Sequence, residues 1–287
     1  MPAGEGLRRL ARKSVAALAT ELTAAAGGGS VHGARRQLKF LRSLIRLMRH
    51  GLGEAEFAAA NAHLRDAGRR LAAARQAEAM QECIAKLAGA AAANSPALAQ
   101  LAAAASVPAI AGPDPKDLPT AIAAARREIE KVRSAIGDWH LPQNRPRLFV
   151  EGLRDCHGKA RKTLARGLKR DDPAVLHEAR KSVIHHLHHL DILSPLWPKM
   201  LDVLRGEFAA LREALGDLND LAELEDLLHT EGSPFAAINA KTEARDIIAR
   251  RRNKLLHDAK GHAHRLFAEK PGPFARRIGA LWRMRPG

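Results

Sequence analysis

The residues that could do chemistry are concentrated in two basic segments, and the first is residues 31–50. It carries six Lys or Arg residues and two His, but no Asp or Glu. Like charges one turn apart destabilise a helix by about 0.2–0.5 kcal/mol each, so this imbalance indicates that an anion outside the helix neutralises them. Arg donates paired hydrogen bonds to phosphate oxygens, and imidazole gains charge when protonated near an anion. The segment predicts an anion-binding helix.

The basic residues of this segment fall on one side of the predicted helix. With 100° per residue they occupy an arc of about 140°, opposite an apolar stripe. The arc consists of His32, Arg35, Arg36, Lys39, Arg42, Arg46 and Arg49. The free N–H groups of the helix N-terminus add partial positive charge beside His32. A solvated outer face is the alternative, but such faces normally interleave Glu with Lys.

The second segment, residues 176–198, repeats this chemistry with more histidine. Its predicted binding face consists of His177, Arg180, Lys181 and His188, flanked by His185 and His189. Histidines three or four positions apart can also share a metal ion, although residues 185–189 contain no Cys, Asp or Glu to complete a site. Packing inside the fold is a further alternative. Crowding among cations predicts that these imidazoles are neutral in the free protein and take up protons when an anion binds.

Basic residues on the helix before each segment extend the predicted surface. They are Arg12 and Lys13 in the first half of the chain, and Lys159, Arg161 and Lys162 in the second. We expect them to line the same groove as the two basic segments.

The charge of the whole chain also indicates a polyanionic partner. The 287 residues include 47 Lys or Arg against 31 Asp or Glu, which gives a formal charge of +16 and a pI near 10.7. Nucleic acid, an acidic membrane surface and a phosphate polymer all fit such a charge. Composition alone does not choose among them.

The two cysteines and the apolar stretches favour a cytoplasmic protein. Cys83 and Cys156 are far apart and lack metal-ligand spacing, so a reduced cytoplasmic setting is expected. Glu21 interrupts the apolar run that follows Arg8 and Arg9, so no export leader is expected. The uncharged run 87–113 is Ala-rich and broken by Pro, which indicates a helix end and linker instead of a membrane span.

Composition and an internal repeat together predict the architecture. Few aromatic and β-branched residues beside abundant Ala, Leu and Arg favour an all-α fold. The pattern His-x-x-Arg-basic begins at His32 and again at His177, and the letters EGLR occur at 5–8 and again at 151–154. Two marks in the same order at nearly constant spacing indicate tandem units. We predict two pseudo-symmetric four-helix bundles, 1–140 and 141–287, around a basic central groove or cavity.

Start and stop signals set the expected helix bounds in each unit. The expected ranges are about 4–25, 31–49, 54–91 and 116–137 in the first unit, and about 146–169, 173–193, 197–229 and 235–268 in the second. Ser30 and Asp172 are the expected N-caps of the basic helices, with Pro173 at the first helical position of the second.

At this level of detail the chain resembles a known family. The paired His-x-x-Arg-basic helices, the run HHLHHLDILSPLWP and the following LGDLNDL are similar to the conserved-histidine α-helical domain, abbreviated CHAD. The resemblance covers nearly the whole chain and implies two four-helix bundles around a basic cavity that binds inorganic polyphosphate. By motif, the residues carried over are His32, Arg35, Arg36, Lys39, Arg42 and Arg46, and then His177, Arg180, Lys181, His186 and His189. His186 projects toward the core edge, and Ile184, Leu187 and His188 depart from the family pattern.

The resulting functional expectation is non-catalytic binding of polyphosphate, with localisation to cytoplasmic polyphosphate granules beside granule proteins. No enzyme activity, metal or cofactor is expected, because the chain lacks the acidic ligands that hold Mg²⁺ at a phosphoryl site. His257 and Asp258 suggest a metal dipeptide, but no matching ligands occur elsewhere. The alternative is a nucleic-acid-binding basic helical protein. Phe40 and Trp197 are the only aromatic rings near the basic helices that could stack on bases, so we expect only non-specific nucleic-acid binding.

Overall fold

The computed structural model describes residues 2–71, 76–90, 95–107, 117–142 and 146–284, and its regular structure within these ranges is entirely helical. The helices there are α1 (Ala3–Ala26), α2 (His32–Leu47), α3 (Arg49–Leu52), α4 (Glu54–Arg70), α5 (Gln76–Ala90), α6 (Pro96–Ala105), α7 (Leu118–Asp138), α8 (Arg147–Arg170), α9 (Pro173–Leu193), α10 (Pro198–His229), α11 (Lys241–Leu266) and α12 (Pro271–Met284). Two short 3₁₀ turns cover Ser194–Leu196 and Pro234–Ala237. The all-α prediction is confirmed.

Capping chemistry explains why the basic helices begin where they do. The side chain of Asp172 accepts hydrogen bonds from the backbone N–H groups of Ala174 and Val175, at 3.0 and 3.1 Å, and Pro173 opens α9. This is the predicted cap. The prediction for α2 was wrong by one residue, because Val31 occupies the N-cap position while the Ser30 hydroxyl accepts from the His32 N–H at 3.1 Å.

Helix contacts within each half of the chain form a closed set of four. In the first half α1 contacts α2 and α7, and α4 contacts α2 and α7. In the second half α8 contacts α9 and α11, and α10 contacts α9 and α11. The halves meet where α2 packs on α8 and α9. The pseudo-symmetry of the two halves and their division into separate bundles at residue 140 stay predictions.

The segment between α4 and α7 differs from the expected single helix and linker. The predicted helix 54–91 is two helices, α4 and α5, and residues 72–75 between them lie outside the described residues. Helix α5 contacts α10 and α11, where Lys86 Nζ donates to Asp217 Oδ1 at 2.6 Å. The expected linker contains α6, whose N-cap Ser95 donates from its hydroxyl to Glu243 Oε1 at 2.7 Å. Both α5 and α6 therefore pack on the second half.

The C-terminal region contains one helix more than expected. Helix α11 ends at Leu266, close to the predicted end of the fourth helix, and α12 then packs against α8. Trp282 of α12 meets Phe149 of α8 edge to face, with ring centroids 5.1 Å apart. None of the helices in the described parts of the chain is both long and apolar enough to cross a bilayer.

Candidate anion-binding site

A cleft of about 280 Å³ lies where α2, α3, α4, α8 and α9 converge. Its cationic and imidazole lining consists of Arg42, Arg46, Arg49, Lys159, Lys181 and His185. The first three belong to the first half of the chain and the others to the second. The fold therefore brings together basic residues from both sequence segments, as the repeat pattern predicts.

Gly152 allows the two halves to approach closely at the floor of this cleft. A Cβ at this position of α8 would lie 2.2 Å from the carbonyl oxygen of Leu47, which is far inside van der Waals contact. The absence of a side chain lets α8 pack directly on the C-terminal backbone of α2. Cys156, one turn later, donates from Sγ to the Ser182 carbonyl oxygen at 3.8 Å, and burial raises the pKa of its thiol to about 12. The floor of the cleft is therefore uncharged.

Arg42 and Arg46 are half-buried cations held close together. Burial and the neighbouring Arg42 lower the pKa of Arg46 to about 10, and burial followed by the charge of Arg65 lowers the pKa of Arg42. Both guanidinium groups remain protonated near neutral pH. Arg42 Nε is buried and has no hydrogen-bond partner among the described residues. An incoming anion would offset the desolvation and the mutual repulsion of these two cations.

The wall formed by α3 and α4 fixes a further arginine that the motif comparison leaves out. The guanidinium groups of Arg46 and Arg49 lie 5.9 and 4.8 Å from the ring centroid of the buried Phe57. Arg49 also donates from Nε and Nη2 to the two carboxylate oxygens of Glu54, at 3.0 and 2.9 Å. These contacts orient both arginines. The signal for Arg49 was present in the sequence, because it lies on the predicted basic arc.

Two carboxylates interrupt the cationic lining. Glu178 Oε1 accepts from Lys181 Nζ at 2.6 Å, and this hydrogen bond lowers the pKa of Glu178. Asp155 Oδ2 accepts from His50 Nε2 at 2.7 Å. The described lining still holds five Lys or Arg residues against these two acids. The cleft therefore has a net positive charge.

Histidines of α9 converge on one buried serine of α2. The Ser43 hydroxyl lies 2.7 Å from the Lys39 carbonyl oxygen, 2.8 Å from His185 Nδ1 and 2.9 Å from His188 Nδ1. Because the hydroxyl has one proton, and the carbonyl can only accept it, both Nδ1–H groups donate to the serine oxygen. His189 Nε2 donates to the Ser43 backbone carbonyl at 2.8 Å. These four residues, Ser43, His185, His188 and His189, form the histidine seam between the halves.

Burial keeps the histidines of the seam neutral. It lowers the pKa of His188 to about 4 and that of His189 to about 3. Burial, followed by the charge of Arg46, lowers the pKa of His185 well below its usual value. The predicted direction of these shifts is confirmed, but desolvation exceeds the predicted repulsion by neighbouring cations. His185 alone of the three also lines the cleft.

Two histidines carried over from the family pattern lie in the interior. His189 and His186 are both 0% exposed, so neither side chain is placed to contact a polymer outside the protein. His157 Nε2 donates to the Glu269 carbonyl oxygen at 3.2 Å, which makes His157 Nδ1 the acceptor for His186 Nε2 at 3.3 Å. His157 stacks on Phe274 with ring centroids 4.6 Å apart. His186 and His189 are therefore packing residues in the interior, which was the alternative to anion binding for this segment.

The start of the second basic helix faces α10, and its His177 and Arg180 do not line the cleft. His177 Nδ1 donates to Asn219 Oδ1 at 2.5 Å. The Arg180 guanidinium lies over Gly216, where an added Cβ would be 3.1 Å from Nη2. Both partners belong to the LGDLNDL segment, which packs on α9. In the first half Arg35 Nη1 similarly donates to the Leu71 carbonyl oxygen at 2.5 Å, so each of these arginines contacts the next long helix of its own half.

The remaining predicted residues do not line the cleft. His32 and Arg36 are exposed near the start of α2, Lys39 is half-buried beside the seam, and Arg12, Lys13 and Lys162 are exposed on α1 and α8. Arg161 faces the opposite side of α8, where its Nε donates to the Phe267 carbonyl oxygen at 3.1 Å. The sequence predicted one continuous groove lined by all of these residues. The structure instead has one cleft, and the remaining cations lie outside it.

Metal binding by the histidine cluster was the other interpretation of this segment. Across the described ranges, no group of three or more His, Cys, Asp or Glu side chains is arranged to hold a metal ion. The Ser43 contacts account for the orientation of His185, His188 and His189.

The fold and the cleft are those of an all-helical domain in which a basic helix of the first half, α2, meets a histidine-rich helix of the second half, α9, across the histidine seam. The family model of the CHAD domain matches residues 9–229. The chain belongs to the CHAD domain family. A search among curated proteins finds no match. The matched region ends with α10, so it contains the whole cleft and seam but neither α11 nor α12.

Proposed function

We propose that this protein binds inorganic polyphosphate in the cleft between its halves and performs no catalysis there. The observation that carries the proposal is the convergence of Arg42, Arg46, Lys159 and Lys181 from both halves on one cleft. Each unit of the polymer carries negative charge, and Arg and Lys supply hydrogen-bond donors to its oxygens. The buried Nε of Arg42, which has no hydrogen-bond partner in the part of the chain that the structure describes, is one such donor.

The shape and chemistry of the lining favour a polymer without bases. Phe57 is the only Phe, Tyr or Trp among the described residues of the cleft, and it is buried beneath the guanidinium groups of Arg46 and Arg49. Proteins that hold single-stranded nucleic acid rely on aromatic rings that stack on successive bases. A base has no such ring to stack on here, whereas a phosphate chain needs none. Membership of the CHAD family supports the same ligand, since polyphosphate binding is associated with that family.

A binding titration tests the proposal directly. We expect long-chain polyphosphate to bind far more tightly than orthophosphate, and to resist competition by duplex DNA and RNA at about 150 mM salt. Lys159→Gln should weaken polyphosphate binding, whereas Lys162→Gln, on an exposed face of the same helix outside the cleft, should leave it nearly unchanged. Equal affinity for DNA, or equal effects of the two variants, would contradict the proposal.

We propose further that this binding places the protein at polyphosphate granules in the cytoplasm, beside granule proteins. The support is the family association together with the basic cleft. A fluorescent fusion should form foci in cells that make polyphosphate and become diffuse in cells that lack it. Foci that persist without polyphosphate would oppose this placement.

A further inference from the structure

A second groove, of about 630 Å³, lies between α8 and α11. Lys159 faces the cleft, but Arg161, two residues later, faces this groove from the other side of α8. The Arg161–Phe267 hydrogen bond lies at one end of the helix pair, and an ion pair of 2.6 Å between Arg252 and Asp171 lies at the other. The two helices are therefore antiparallel. The ten residues of α8 between these contacts span about 15 Å.

The lining of this groove combines an apolar floor with a cationic rim. The accessible floor consists of Leu168 with Ala165, Ala263 and Ala268, while Leu164 and Phe267 are almost fully buried. The rim carries Arg161, Lys169, Lys260 and His264. None of the described residues that line the groove is acidic.

This combination distinguishes between two kinds of anionic ligand. A phosphate polymer would contact the cations but has no apolar group to place on Leu168 and the neighbouring alanines. An acidic segment with apolar side chains on one face would use both the rim and the floor. A length of about 15 Å accommodates roughly ten residues of helix. Charge complementarity with a chain of formal charge +16 favours the same partner.

We propose that the groove between α8 and α11 is the docking site for an acidic amphipathic helix of a partner protein. Such a helix places apolar residues at positions i, i+3, i+4 and i+7 along the floor and its carboxylates beside Lys169 and Lys260. The CHAD match does not assign this site, because α11 lies beyond residue 229. The proposal also stands apart from polyphosphate binding, since the cleft and the groove occupy opposite faces of α8.

The test uses the full chain and a fluorescent synthetic peptide of about fifteen residues with Leu on one helical face and Glu on the other. We expect saturable binding that is about tenfold tighter than that of a poly-Glu peptide of the same length. The double variant Lys169→Gln, Lys260→Gln should weaken the peptide about tenfold, because two charges of the rim are lost. The matched control is Arg166→Gln, Lys254→Gln, which removes two exposed cations from the same helices outside the groove.

Each outcome of this test decides the proposal. Loss of binding in the first double variant but not in the second supports it, provided that both variants unfold at the wild-type temperature. Arg46→Gln, in the cleft, should leave peptide binding unchanged. Absence of peptide binding, equal weakening in both double variants, or equal binding of poly-Glu would overturn it. Polyphosphate binding that depends on Lys169 and Lys260 while the peptide fails to bind would assign the groove to the polymer.

Discussion

His189 of α9 donates a 2.8 Å hydrogen bond from Nε2 to the backbone carbonyl oxygen of Ser43 in α2. Both residues are 0% exposed, so a side chain of the second half is fixed to the main chain of the first in the interior. The hydroxyl of the same serine accepts from two further histidines of α9. The histidine seam therefore contributes to how the two halves are held together, and three of its properties can be measured.

The first prediction concerns Ser43→Ala. It removes the acceptor of the Nδ1–H groups of His185 and His188, and we expect a loss of about 2 kcal/mol in the free energy of unfolding. Ser14→Ala is the matched control, because the Ser14 hydroxyl is also buried in a helix but, among the described residues, bonds only to the carbonyl of Leu10. Chemical denaturation measures both variants. Equal stability changes would mean that the seam adds no stability of its own.

The second prediction is that the protein loses stability in weak acid. The pKa of His188 falls from 6.5 to about 4 on folding and that of His189 from 6.5 to about 3, so the unfolded chain binds more protons than the folded one at pH 5. Their contribution to the free energy of unfolding is complete above pH 6.5. It is lost as pH falls below 6.5, down to the folded-state pKa of about 4 for His188 and about 3 for His189. At pH 5 each histidine should lower the free energy of unfolding by about 2 kcal/mol relative to neutral pH.

Denaturation between pH 7 and pH 5 measures this loss. His189→Gln should reduce its slope, because Gln can donate to the Ser43 carbonyl but does not titrate. A slope identical to that of the wild-type protein would show that His189 does not contribute to the acid sensitivity.

The third prediction links ligand binding to protons through one residue. His185 is the seam histidine that lines the cleft, and its pKa is depressed by burial and by Arg46. A bound polyanion opposes the effect of Arg46 but not the larger effect of burial, so the pKa of His185 should rise on binding yet stay below 6.5, and proton uptake and stronger binding should appear as pH falls below 6.5. Calorimetry in buffers of different ionisation enthalpy counts the protons. His185→Gln should abolish this proton uptake. Uptake that persists in the variant would show that another group takes up the proton.

The fourth prediction concerns the approach of α8 to α2. Gly152→Ala places a methyl group 2.2 Å from the Leu47 carbonyl oxygen, so the helices must separate. We expect both lower stability and weaker polyphosphate binding, because the cleft shares this floor. Gly158→Ala is the control in the same helix, since its Cβ would meet only Pro271 at 3.4 Å. Thermal unfolding and the binding titration should separate the two variants, and a tolerated Gly152→Ala would rule out a close-packed floor.

The fifth prediction tests whether both halves form one binding site. Arg46→Glu and Lys181→Glu should each weaken polyphosphate binding and make its salt dependence shallower, because each variant loses a phosphate contact. Lys162→Glu lies outside the cleft and should have little effect. If only one of the first two variants mattered, the shared cleft would not be the site.

The positions of most helices follow from local signals in the sequence. Asp172 and Pro173 mark the start of α9, and the apolar stripe that includes Leu38 and Leu41 orients α2 correctly toward the core. These signals depend on hydrogen bonds and periodicity within a few residues. The end of α4 at Arg70 was missed: Gly68, two residues earlier, was the available signal, but the Ala- and Arg-rich sequence around it favours a helix.

The basic character of the candidate site could be predicted from the sequence, but the orientation of several of its side chains could not. The basic arc correctly placed Arg42 and Arg46 together, but a helical projection does not say which helix covers a side chain. His186 and His189 are therefore interior, and Arg180 faces Gly216 of α10. Gly152 was the available clue to close packing, because glycine inside a helix costs about 1 kcal/mol relative to Ala and usually has a packing reason.

The packing of α5 and α6 on the second half has a consequence for the order in which the chain is made. Lys86 leaves the ribosome 131 residues before its partner Asp217, and Ser95 leaves 148 residues before Glu243. Helices α5 and α6 contact each other, but the part of their apolar surface that packs on α10 and α11 stays uncovered until those helices have been synthesised. During translation α5 and α6 therefore expose apolar surface of the kind that chaperones recognise. The first half can complete its folding only after most of the second has emerged.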